Sequence, residues 1–154
     1  MNLRIAWIMP DGNLGIYQPG DALRQPGDTD AQLCERAIQY KGMDARPHKI
    51  FNANEFPKKT FRDAWTFDGQ AITIDLPKAR EIVLARVRDE RNRRLVEADA
   101  EKARLDDVGT EKEKKDAKDK RQALRDLPAV VAIEIATMSV GQLETYQPTW
   151  PTGE

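Results

Sequence analysis

The chain has almost none of the side chains from which catalytic and metal sites are assembled. Its 154 residues include one cysteine, Cys34, and one histidine, His48. A single cysteine excludes an internal disulfide and fits a reducing compartment or indifference to redox. A metal centre or an imidazole acid–base pair needs clustered Cys, His and carboxylate groups, and His48 has no such neighbours in the sequence. Gly12, Gly15 and Gly20 lack the spacing before a helix that would cradle a phosphate. No apolar run approaches the roughly 18 residues of a membrane span. The apolar start, Met1 to Met9, alternates like a strand and is too short for a signal peptide. With a formal net charge of −1 and a pI near 6.0, the chain has no global pull toward nucleic acid or an anionic membrane.

What the sequence has in excess is charge, at 33% of residues against a usual share of about 25%. The excess lies between Arg86 and Asp126, where well over half of the residues are charged and the two signs nearly balance. The remainder has an ordinary globular composition.

The first part of the chain reads as a small, mainly antiparallel sheet with one helix. Leu3, Ile5, Trp7 and Met9 follow a strand period, and apolar Ala6 and Ile8 between them suggest cover on both faces. Pro10-Asp11-Gly12-Asn13 is turn chemistry, so residues 2–18 form a hairpin, followed by a Pro/Gly-rich loop to Asp28. Thr29 and Gln32 have capping-box spacing. Leu33, Cys34, Ala37 and Ile38 form an apolar face behind them, and Gly42 is placed as a C-cap. A strand is expected over Pro47 to Asn52, and a second hairpin over residues 60–75, turning at Asp68-Gly69.

At Asp75-Leu76-Pro77 the period changes to that of a helix. Leu84, Val87, Arg91, Leu95, Ala98, Lys102 and Leu105 follow one stripe, and Asp106 to Thr110 breaks it. Thr110 with Glu113 makes a second capping box, and Ala117, Leu124 and Leu127 mark a returning stripe that Pro128 is expected to end. This is a helical hairpin whose apolar seam thins toward its tip. A seam so thin is marginal alone and favours a homo-oligomer, a trimer being one form that would complete the core. The β-branched run Ala129 to Ile135 reads as a strand, Ser139 and Gln142 start a short helix, and a tail bracketed by Pro148 and Pro151 follows. The fold class is therefore α+β, in three parts: residues 1–75 as the small α+β domain, 76–128 as the charged hairpin, and 129–154 as a strand, short helix and extended tail.

Each chemically capable residue has a simpler role. Cys34 lies on an apolar helix face and is expected in the core, while His48 is structural or solvent-exposed. Asp106-Asp107 fits a solvated turn that ends a helix better than a paired acid–base site. Arg86, Arg88, Arg91, Arg93 and Arg94 would suit phosphates, but Asp89 and Glu90 interrupt them and no aromatic lies near for stacking. An ion-pair face is the better reading, with nucleic-acid binding through Arg86–Arg94 a distant alternative. Trp150 is the aromatic with the clearest use as a docking anchor. No catalytic, cofactor or metal residue is assigned. The candidate partner contacts are Leu84, Val87, Arg91, Leu95, Leu105, Leu124, Leu127 and Trp150.

The run Arg86-Val87-Arg88-Asp89-Glu90-Arg91-Asn92-Arg93-Arg94-Leu95, followed later by Lys120-Arg121-Gln122-Ala123-Leu124-Arg125-Asp126-Leu127-Pro128, resembles small bacteriophage tail assembly chaperones and tail-fibre-associated proteins. Phe61-Arg62-Asp63-Ala64-Trp65, Asp75-Leu76-Pro77-Lys78-Ala79-Arg80 and Ser139-Val140-Gly141-Gln142-Leu143 extend the resemblance over roughly residues 60–147. The chain departs from that family over Glu97 to Asp107, which is acidic and poor in apolar residues. The resemblance implies a non-enzymatic protein working through contacts with other phage tail or tail-fibre proteins. Its setting would be the virion tail as a structural or accessory component, or the host cytoplasm as a transient assembly chaperone.

Overall fold

The computed structural model describes residues 2–151 and divides into two compact units, Met1–Asp75 and Leu76–Glu154. Three antiparallel strands, β1 (Leu3–Ile8), β2 (Leu14–Tyr17) and β3 (His48–Asn52), make a sheet in the order β2-β1-β3. Ile5 stands opposite both Tyr17 and Ile50. Because side chains alternate across a strand, adjacent residues of central β1 enter different cores. Ile5 packs with Cys34, Ala37, Ile38 and Met43 on the side of helix α1 (Asp30–Lys41). Ala6 packs with Phe51, Trp65, Phe67 and Ile72 on the other. Strand β1 is covered on both faces, as its doubly apolar pattern implied.

The local signals for α1 operate as expected. The Thr29 side chain accepts from the Gln32 amide, and the Gln32 side chain accepts from the Thr29 amide. Gly42 closes the helix at φ 65, a left-handed conformation that glycine adopts without a Cβ penalty.

The second hairpin is shorter than the period suggested. β4 (Trp65–Phe67) and β5 (Ile72–Ile74) form a separate two-stranded sheet, and Lys59–Ala64 is a 3-10 segment. Phe61, inside the hairpin expected over residues 60–75, therefore lies outside its strands. Ring pairs Phe51–Phe56, Phe51–Phe67 and Phe56–Trp65, with centroids 5.7, 6.0 and 5.8 Å apart, lock this layer to β3.

The second unit is built from three helices followed by an extended tail. α2 runs Leu76–Val108, α3 runs Glu111–Ile135 and α4 runs Val140–Thr145. Two expectations are corrected here. The break between the long helices is only Gly109-Thr110, with α3 capped by the Thr110–Glu113 box. Residues 129–135 are helix rather than strand, and α3 continues through Pro128. Proline inside a helix removes one hydrogen bond and costs about 3 kcal/mol. Burial offsets that cost: Leu124, Leu127, Val131 and Ile135 lie on one continuous helical stripe and are all buried. Strand propensity in Ala129–Ile135 was a weak prior that packing overrode. None of the described helices is long and apolar enough to cross a membrane.

Candidate partner-binding surface

The stripe that α2 buries is Ala79, Val83, Val87, Ala98 and Leu105. Its early part is one residue out of phase with the expected stripe, so Val83 is buried and Leu84 half-buried. Small residues, Ala79 and Ala98, make up part of that stripe. Gly109 closes the end of α2: its amide donates to the Leu105 carbonyl at 2.7 Å, and a Cβ there would meet that same oxygen at 2.7 Å.

Where the seam runs short of apolar side chains, charge crosses between the helices. Lys120 Nζ reaches Glu101 at 3.0 Å, and Arg121 pairs with Asp99. Lys120 thus pairs across the hairpin rather than along its own helix. On α2 itself, Glu90 binds Arg93 at 2.5 Å and Arg94 at 2.8 Å. The hydrogen bonds from Arg93 and then Arg94 hold the Glu90 carboxyl below its usual range. Part of the Arg86–Arg94 face is thereby neutralised.

The C-terminal tail lies along the hairpin. α4 packs on α2, and the Tyr146 hydroxyl donates to Glu134 on α3. Burial first, and that bond second, push the phenol above its ordinary range. The Arg94 guanidinium sits 4.4 Å from the Trp150 ring centroid, a cation–π contact. Beneath the tail is a cavity of about 360 Å³ lined by Val83, Val87, Leu143, Tyr146, Pro148 and Trp150, among others. A second, of about 400 Å³, is bordered by Ala98, Lys120, Leu124 and Pro151. The Tyr146–Glu134 hydrogen bond and the Trp150–Arg94 contact seat the tail on the long helices.

Of the expected partner contacts, Val87, Leu105, Leu124 and Leu127 are buried within the chain. Leu84, Arg91, Leu95 and Trp150 are half-buried and keep some accessible surface. Apolar residues not singled out in the sequence are more exposed: Val96 at 70%, Val108 at 74%, Val130 at 48% and Ile133 at 78%. Val130 and Ile133, three residues apart, share a face of α3 with exposed Ala129 and Ala136. That stripe becomes visible only once residues 129–135 are read as helix. Cys34 is buried, and burial raises its thiol pKa. His48 Nδ1 lies 2.8 Å from the Arg46 carbonyl. Among the described residues no group of His, Cys, Asp and Glu is placed to hold a metal.

Residues 84–151 match the family model described as phage tail assembly chaperone protein. The matched segment takes in α2 from Leu84, α3, α4 and the tail as far as Pro151, and the β-rich unit lies outside it. The match supports a phage tail-related role and points to a non-enzymatic one. No curated protein matches the chain, and no solved structure does.

Proposed function

We propose that the chain is a phage tail assembly chaperone that holds another tail protein during assembly in the host cytoplasm and leaves before the particle is finished. The observation that carries this reading is the coincidence of the family match with the second unit, Leu84 to Pro151. That unit combines exposed apolar residues with a tail that lies along its long helices. The contact surface on this reading is the accessible set: Val130 and Ile133 on α3, Leu84 and Leu95 on α2, and Trp150 on the tail. A homo-oligomer, trimer included, would use the same accessible residues, since Leu105, Leu124 and Leu127 are already buried.

Mass spectrometry of purified particles tests the reading against its rival, a permanent tail or tail-fibre component. The chaperone should be absent from finished particles and should co-purify with a tail protein from infected cells. Its presence at a copy number comparable to other tail proteins would replace the chaperone by the structural component.

A further inference from the structure

The β-rich unit, outside the matched segment, carries a depression of about 360 Å³ lined by Arg4, Ile16, Ala53, Phe56, Pro57, Lys59, Arg62 and Trp65. Three features set it apart. Its charged lining is wholly cationic, from Arg4, Lys59 and Arg62, with no carboxylate. None of those three is in an ion pair among the described residues, whereas Arg24 and Arg36 of the same unit are paired with Asp21, Asp30 and Asp28. Finally, the indole N–H of Trp65, a residue only 9% exposed, has no acceptor. A buried donor left without a partner is costly, which makes such groups informative about missing ligands.

The fold assembles this lining from separate places. Arg4 lies on the same face of β1 as Ala6, and Ile16 stands opposite Ala6 on β2. Ala53, Phe56 and Pro57 follow β3, and Lys59, Arg62 and Trp65 come from the 3-10 segment and the start of β4. Apolar walls with cations around them match a ligand that brings carboxylates and an apolar side chain together. Arg is suited to this because its guanidinium binds a carboxylate through two parallel hydrogen bonds.

We propose that this depression binds an acidic peptide segment of a partner protein, one that alternates Asp or Glu with apolar residues. Single-stranded nucleic acid fits less well. Base stacking needs an open ring face, whereas Trp65 is buried and Phe56 is packed against Phe51 and Trp65.

The test uses the full chain and three fluorescent probes: the peptide Glu-Asp-Leu-Asp-Glu-Phe-Glu-Asp-Leu-Glu, its counterpart with Gln and Asn at the acidic positions, and oligothymidylate. Binding is read by anisotropy, and the indole N–H resonance of Trp65, assigned with Trp65→Phe, is followed by NMR. The acidic peptide should bind and shift that resonance. The double variant Lys59→Glu/Arg62→Glu, altered at exposed positions, should weaken it about tenfold with circular dichroism unchanged. Lys118→Glu on α3 should leave binding as it was. Equal binding of the Gln/Asn peptide, binding of oligothymidylate in place of the acidic peptide, an unmoved Trp65 resonance, or no binding would each overturn the proposal.

Discussion

The two units of this chain solve the same problem with different materials. Met1–Asp75 holds all four phenylalanines, and its cores on the two sides of β1 contain Phe51, Trp65 and Phe67 alongside aliphatic residues. In Leu76–Glu154 the buried positions on the long helices include Ala79, Ala98 and Ala117, and cross-helix ion pairs take over where apolar side chains give out. Large buried side chains concentrate stability in a few residues, whereas a thin seam distributes it among caps, small contacts and screened charges. Such pairs, worth little each, are weak anchors for a core. The difference teaches that high helix content is no measure of core strength.

Replacing a residue from each kind of core is the sharpest way to break this contrast. Ile5→Ala, at a fully buried position of the central strand, should cost about 4 kcal/mol. Denaturant unfolding followed by near-UV circular dichroism, where the aromatics of the first unit dominate, would measure it. Leu124→Ala should cost less, about 2–3 kcal/mol, because neighbouring side chains in a narrow seam can close on the space. Its readout is the far-UV helical signal. Equal losses in the two variants would erase the distinction.

A smaller effect probes the caps. Thr110→Ala removes the side-chain acceptor at the start of α3 and should cost about 1 kcal/mol of helix stability. The same site has a pH signature. The backbone hydrogen bond from Thr110, then its hydroxyl bond, hold the Glu113 carboxyl below its ordinary value. A depressed folded value means the contribution is present above the unfolded carboxylate pKa and is lost as pH falls through the folded one. Acid titration of helix content should therefore show a loss in the wild type that Thr110→Ala reduces.

Much of this was legible in the sequence. The capping boxes at Thr29 and Thr110 are legible from spacing, because both partners are local and the chemistry is specific, and the helix start at Ser139 proves to be a third. The hairpin of residues 2–18 and the α+β class followed from period and turn residues. What sequence could not reveal was decided by distant contacts. Val131 and Ile135 make Ala129–Ile135 helical through burial, which a single segment cannot announce. The Arg94–Trp150 contact joins residues far apart in the chain, and the cationic depression of the first unit draws Arg4 and Arg62 together across most of that unit. The proline neighbours of Trp150 mark it in the sequence, whereas its seat against Arg94 is set by tertiary packing.

Pro128 gives α3 two halves with different histories. The half before it has a capping box and can begin to wind from the Gly109-Thr110 turn using neighbours close in sequence. The half after it lacks one hydrogen bond and has β-branched residues, so it has little reason to wind until packing supplies one. The hairpin should consequently zip from tip to base as it forms, with residues 129–135 last. The exposed Val130–Ile133 stripe would then exist only in chains that have finished folding, a built-in proof of maturity for any partner that reads it.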